Sequence, residues 1–442
     1  MEHKVFAYNT LDDVRQEAER TGAYIPLSED LSGIGAPLVI GGRTLRNRIV
    51  INPMEGCDGT MDGAPDELTI RRYKRFASSS AGLVWFEAVA ITPESRGSPR
   101  QLMLTGGNLD AFKRLLDDFK EESIRQCGYA PPVILQATHS GRYSKPVALP
   151  APMIAYNIPP YEKDNPLSAE RIVSDSYLQS LPEKYAETAR LSRMAGFDGV
   201  DVKACHRYLL NELLCAKTRV DSLYGGELIN RARLYLDAVK AVRTELSPDM
   251  VLTTRLNVYD GPQAPYCFGA ADNGDVDLTE PLIIVKMLGE LGVSLINITI
   301  GNPYFCPHVN RPFDIGAYTP PEHPFEGLGR LYKCAGAVKD AFPGLAVVAS
   351  GLSYLRQFSP YAAAGLLASG AADLVGFGRV AFAYPDFATD ILQKGSLDKS
   401  RCCVSCSKCS GLMRAGSMAG CVVRDEVYAR IYKRDVVDAA KN

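Results

Sequence analysis

The chain of 442 residues contains no run of about 18 apolar residues, so no membrane-spanning helix is expected. No secretory leader is expected either: the opening MEHKVFAYNTLDDVRQEAER is polar and carries both signs of charge. Charge of one sign is also lacking. Against 49 Lys and Arg stand 51 Asp and Glu, a net charge of −2, without the basic excess that nucleic acid or an anionic membrane surface favours. There is no internal repeat beyond a β/α alternation and no low-complexity segment. The only tryptophan, Trp85, lies in an apolar run and is expected in the core. Finally, the first strand candidate leads into PMEGCDGT rather than a G-x-G-x-x-G turn, which disfavours an open doubly wound dinucleotide sheet.

What is present is apolar mass, 46% of residues, in a repeating order. Eight β-rich runs recur: 48–53 (RIVINP), 82–90 (GLVWFEAVA), 132–138 (PVILQAT), 199–203 (GVDVK), 251–256 (VLTTRL), 294–299 (SLINIT), 346–350 (AVVAS) and 373–377 (DLVGF). Near-continuous apolar runs of this length suit parallel strands covered on both faces. The segments between them carry helical periodicity, as in SYLQSLPEKYAETARLSRMAG and EPLIIVKMLGELG. Eight alternating units predict a closed (β/α)8 TIM barrel. The expected division is a lead-in over 1–36, the barrel over 37–398 and a C-terminal segment over 399–442. Three long stretches, 143–172, 257–282 and 301–325, follow strands three, five and six, where barrel loops build active sites and lids.

Twelve cysteines without a leader read as reduced thiols of a cytoplasmic protein, not a disulfide frame. Four of them, Cys403, Cys406, Cys409 and Cys421, are spaced C-x2-C-x2-C-x11-C. Four thiolates at one point hold either a zinc ion or an iron–sulfur cube. Zinc sites usually come as two separated C-x2-C pairs, whereas three close cysteines and a distant fourth suit a cube. Cys402 adjoins the set, but a register starting there breaks the spacing.

Two other signals come from the barrel pattern. Loops after strands seven and eight commonly bind phosphate. Here they begin at Ser350-Gly351-Leu352 and Gly376-Phe377-Gly378-Arg379, where glycines admit an anion to backbone amides and Arg379 adds charge. Arg255 sits inside an apolar strand, which is costly without an anionic partner.

The motifs NRIVINPM, ILQATHSGRYS, AGFDGVDVKACHRYLLNELL followed by YGGELINRAR, VASG and VGFGRVAFAYPDF, with the cysteine spacing, cover about Ala36 to Arg424. On these the chain resembles the old yellow enzyme family of flavin-dependent reductases. The resemblance is to its iron–sulfur branch, which includes 2,4-dienoyl-CoA reductase, enoate reductases and trimethylamine dehydrogenase. It implies FMN over the barrel mouth. Pro53, Met54, Glu55, Ala88 and Gln136 would contact the ring, Arg255 would sit beside its N1–O2 edge, and Gly351, Gly378 and Arg379 would hold the phosphate. A cation beside the edge that becomes anionic on reduction would raise the flavin potential. His206 and Tyr208 match the family's carbonyl-holding histidine and proton-donating tyrosine. Lys203 stands where relatives carry a first histidine and Arg207 where they carry glycine, which points to an anionic or otherwise more polar substrate. His139, with Arg142, is expected to face the mouth and substrate, and Cys57 to lie with Glu55 beneath the flavin. The four cysteines would bind a 4Fe–4S cluster.

The implied activity is reduction of the C=C bond of an α,β-unsaturated carbonyl or carboxyl compound. The sequence ends soon after Cys421, without the FAD- and NAD(P)H-binding domains of longer members. Electrons are therefore expected from a separate ferredoxin, flavodoxin or flavin reductase, or from NAD(P)H. A homo-oligomer is compatible with the resemblance. The alternatives are an amine dehydrogenase or demethylase, which Lys203 opposes by charge, and a non-catalytic electron-relay subunit.

Overall fold

In the computed structural model the described residues are 1–163, 165–261 and 265–441. Asp164 of the 143–172 loop, residues 262–264 of the 257–282 loop and Asn442 of the 399–442 segment lie outside them. The eight strands are β1 (Ile49–Ile51), β2 (Leu83–Ala90), β3 (Val133–Thr138), β4 (Gly199–Val202), β5 (Val251–Asn257), β6 (Leu295–Thr299), β7 (Ala346–Ala349) and β8 (Leu374–Phe377). Each pairs in parallel with its neighbours in sequence, and β8 closes onto β1, so the barrel is complete. Every expected strand is present, with no end shifted by more than two residues. Helices follow the strands. The long one at Asp175–Ala195 starts where the Ser174 hydroxyl accepts from the Tyr177 amide, and ends on Gly196 at φ 92°, a left-handed stop that glycine takes without strain.

Strand alternation explains where the barrel is dry and where it is polar. Val50, Trp85, Ile134, Val251, Leu295, Val348 and Leu374 form one buried apolar layer. Ile40 and Leu45, from the antiparallel hairpin Leu38–Ile40/Arg43–Leu45, pack onto that layer and seal the N-terminal end. Further along the strands the interior turns polar. Gln136 pairs in register with Asp201, Asp201 with Thr253, and Arg255 with Asn297. An irregularity in β2 between Trp85 and Ala88 resets the register and sets Ala88 beside Gln136.

The segment after the barrel has a small core of Leu412, Tyr428 and Ile431. It is also tied to the barrel by polar contacts. Arg71 reaches Asp425 at 2.8 Å, and Arg75 binds the same carboxylate. The Ala419 amide donates to the Gly56 carbonyl at 2.7 Å, and the Asp314 amide to the Ser405 carbonyl at 3.2 Å. The cysteine-bearing loop is thereby held against the loops after β1 and β6. Among the described residues no helix is long and apolar enough to cross a membrane.

Candidate active site

A cavity of about 250 Å³ opens at the C-terminal ends of the strands. Pro53, Met54, Glu55, Ala88, Gln136, Lys203, His206, Tyr208, Arg255, Gly351, Gly378 and Arg379 all line it. These come from seven of the eight strand ends, so the fold brings them together though the sequence scatters them over more than 300 residues. Cys409, Met413 and Arg414 of the C-terminal segment line the same cavity.

The geometry of Gln136 depends on a carboxylate that sequence reasoning missed. Asp201, fully buried in β4, accepts from Gln136 Nε2 at 2.6 Å, Trp85 Nε1 at 2.8 Å and the Arg255 backbone amide at 2.8 Å. Burial raises its pKa to about 6, against the pull of these donors. With its amide nitrogen committed to Asp201, Gln136 has its carbonyl oxygen left to accept from a ligand. The signal for Asp201 was in the sequence: an acid within an apolar strand needs buried donors, just as Arg255 needs an anion.

Arg255 and Arg379 each keep a buried nitrogen, Nε and Nη1 respectively, without a hydrogen-bond partner among the described residues. Arg379 is otherwise anchored through Nη2 to the Pro312 carbonyl at 3.0 Å. A third arginine, Arg311 from the loop after β6, also lines the cavity with its Nε buried and unpartnered. Burial lowers its pKa to about 10, and the neighbouring Arg379 adds to the fall. Gly351, at φ 93°, supplies a left-handed turn that a side chain would strain. Unpaired buried guanidinium nitrogens lining one cavity are unfavourable unless an anion completes them. The donor set therefore fits a flavin phosphate and an electron-rich ring edge.

Lys203, His206 and Tyr208 form the second set. Lys203 Nζ lies 4.0 Å from the centre of the Tyr208 ring, and among the described residues no carboxylate comes within 4.0 Å of it. Burial lowers its pKa, and Cys205 and Glu55 pull the other way. His206 Nε2 is buried without a partner among the described residues, and burial with the nearby Arg255 and Lys203 keeps the ring neutral. Tyr208, 4% exposed, makes a hydroxyl contact of 2.8 Å with Tyr304. Its pKa is pushed well up by burial, so it stays protonated.

His206 and Arg207 both have left-handed backbone, φ 64° and 60°, which side-chain-bearing residues rarely adopt. Arg207, where the resemblance implies a glycine, is held there by its own contacts. Its guanidinium is wholly buried, pairs with Asp260 at 3.1 Å and donates to the Tyr266 carbonyl. It thus points away from the cavity and sets the turn that presents His206 and Tyr208.

One expectation, that His139 and Arg142 face the mouth, needs correction. His139 does not line the cavity: its Nε2 contacts the Tyr177 hydroxyl at 2.8 Å and its Nδ1 accepts from the Gly141 amide at 3.0 Å. Burial lowers its pKa to about 4, and the neutral ring is a structural tie between the end of β3 and the Asp175–Ala195 helix. Arg142 is likewise taken up, by Glu212 at 2.5 Å and by Glu162. Cys57 is buried at φ 50° and donates to Glu55 at 3.6 Å, without lining the cavity itself.

Cys403, Cys406, Cys409 and Cys421 all line one second cavity, of about 20 Å³. Cys402 is buried outside it. Ser405 and Ser407, between the first three cysteines, have left-handed φ of 53° and 56° and curl the loop around this space. Among the described residues no three His, Cys, Asp or Glu side chains stand close enough to hold a single metal ion as they lie. A four-iron cube spaces its ligand sulfurs more widely than one ion does, and a set of four thiols around one void suits it chemically. Cys409, Arg379 and Phe382 line both cavities, so the two sites share a wall.

The sequence pattern of the NADH:flavin oxidoreductase / NADH oxidase family matches residues 34–276. An NADPH dehydrogenase of Halalkalibacterium halodurans is 28% identical over 60% of this chain and 71% of its own. An NADH oxidase of Thermoanaerobacter brockii is 26% identical over 83% of this chain, which spans only 52% of that longer protein. Among solved structures, a 2-naphthoyl-CoA reductase bound to 2-naphthoyl-CoA aligns with TM-score 0.71 and 20% identity, over 89% of this chain and 57% of that one.

Proposed function

The chain belongs to the NADH:flavin oxidoreductase / NADH oxidase family, and we propose that, within it, this flavin-dependent oxidoreductase reduces the activated C=C bond of an α,β-unsaturated carbonyl or carboxyl compound. The observation that carries the reading is a single cavity lined by two complementary sets of groups. Gln136, Arg255, Gly351, Gly378 and Arg379, joined by Arg311, are suited to FMN, with Pro53, Met54, Glu55 and Ala88 along its ring. Lys203, His206 and Tyr208 are suited to an unsaturated carbonyl substrate. FMN, when bound, supplies the hydride for the β-carbon. The His206 imidazole, neutral and with an unsatisfied nitrogen, can donate to the substrate carbonyl oxygen, and the Lys203 ammonium adds charge beside it. Tyr208 gives its proton to the α-carbon. A phenol that stays protonated until negative charge develops is matched to that task.

A 4Fe–4S cluster on Cys403, Cys406, Cys409 and Cys421, when bound, supplies electrons singly. The wall shared through Cys409 and Arg379 supports that pairing of sites. NAD(P)H is the donor of the family, and a separate ferredoxin, flavodoxin or flavin reductase is the one-electron source that a cluster beside the flavin cavity calls for.

Amine oxidation is the weaker reading on electrostatic grounds. The seat over the Tyr208 ring, where a cationic amine would gain a cation–π contact, is already filled by Lys203. A panel of unsaturated acids, unsaturated ketones and amines, assayed anaerobically with reduced viologen for the reductions and a viologen-type acceptor for the amines, tests the assignment. Turnover of amines alone would overturn it. Within the panel, Lys203→Met should lower kcat/KM about tenfold, roughly 1.4 kcal/mol, for carboxylate-bearing substrates, and much less for neutral enones. Equal losses for both would remove the charge-pairing role of Lys203.

A further inference from the structure

We propose that Tyr304 is the relay that returns a proton to Tyr208 after each turnover. The inference rests on the reading of Tyr208 as proton donor. That donor is 4% exposed and lines the cavity, so while substrate or product fills the site a spent Tyr208 has no direct route to bulk water. Among the described residues the only hydrogen bond at its hydroxyl is to the Tyr304 hydroxyl, at 2.8 Å. Tyr304 is 48% exposed as a whole residue and lines the cavity, and burial raises the pKa of its hydroxyl, which therefore carries a proton to give to a Tyr208 phenolate. Lys203 is the other acid nearby. It sits over the ring face, 4.0 Å from the centroid, rather than in line with the oxygen.

Tyr304 is also held in place. Its ring stacks on Tyr143 with centroids 3.7 Å apart and planes 20° from parallel. Asn302 fixes both partners: its Oδ1 accepts from the Tyr304 amide at 2.9 Å, and its Nδ2 donates to the Tyr143 hydroxyl at 2.9 Å. A relay needs a fixed donor–acceptor distance, and this clamp provides one. A merely space-filling tyrosine would need neither the clamp nor the hydroxyl contact.

The proton steps balance. The Tyr208 O–H bond breaks as the α-carbon–hydrogen bond forms, leaving a phenolate. Tyr304 gives its hydroxyl proton across the 2.8 Å contact, and the Tyr304 phenolate then takes a proton from water or a buffer acid. One solvent proton is consumed per double bond, matching the one hydride delivered.

The test uses the holoenzyme reduced before mixing with an enone. Tyr304→Phe should leave the first turnover within about twofold, because Tyr208 starts protonated, and slow later turnovers about tenfold. Tyr304→Ala should show the same split, and added imidazole buffer should restore its later turnovers in proportion to concentration. Separately from turnover, 13Cζ-tyrosine NMR of substrate-free protein should show Tyr208 shifting on Tyr304→Phe as its hydroxyl partner is lost. Equal slowing of first and later turnovers, or no slowing and no buffer response, overturns the relay. A Tyr208→Phe variant with normal turnover would instead overturn the underlying assignment of the donor. If Tyr208→Phe is slow and Tyr304→Phe is normal, the relay alone fails.

Discussion

Tyr208→Phe should slow reduction of an α,β-unsaturated substrate about 10²- to 10⁴-fold, an increase of roughly 3 to 5 kcal/mol in the barrier, while flavin reduction by the electron donor continues at its normal rate. The contrast follows from where the hydroxyl lies. It lines the cavity with Lys203 and His206, and it belongs to neither the arginines nor the glycines suited to the flavin phosphate. The variant should fold. Phenylalanine keeps the ring under the Lys203 ammonium, and among the described residues the lost hydroxyl had a single hydrogen-bond partner, that of Tyr304. Stopped-flow measurement separates the two half-reactions. Normal reoxidation by an enone would mean that the α-carbon takes its proton from elsewhere.

The barrel was legible because its strands carry their own signal: short apolar runs of strand length, spaced by helical periodicity, leave few arrangements open. The strand-end residues were legible for the same reason, since a barrel turns strand ends into a mouth. His139 shows the limit of that rule. It ends β3 as expected, but its ring direction is set by Gly141 two residues on and by Tyr177, brought in by a helix that begins more than 30 residues later. Tyr304 and Arg311 were illegible for another reason. They sit in the irregular loop after β6, where no periodicity says which side chains turn inward. Arg207 lay between these cases. Its replacement of a glycine was visible, but the left-handed backbone at φ 60° and the buried Asp260 that holds its guanidinium appear only in three dimensions. A local rule was broken there, and a distant carboxylate compensates for it.

Cys409→Ala should remove nearly all bound iron, about four atoms per chain in the intact protein, and leave FMN in place. The prediction turns on the position of Cys409 between the two cavities. It is one of the four thiols around the smaller void, so its loss leaves three ligands and an open corner. The groups suited to FMN come instead from strands and loops of the barrel, so the flavin should survive. Cys402→Ala is the matched control. That cysteine is adjacent in sequence and buried, yet outside the small cavity, and iron content should not change. The functional consequence should be equally selective. Turnover driven by a reduced one-electron protein donor should collapse in Cys409→Ala, whereas flavin reduced photochemically should still pass its hydride to substrate. Anaerobic iron and zinc analysis together with the visible spectrum decides the matter. One zinc per chain and no broad absorption near ~400 nm would make the four thiols a structural staple and take the electron relay away. Iron retained in Cys409→Ala but lost in Cys402→Ala would shift the ligand register by placing Cys402 at the metal, against the arrangement of the loop.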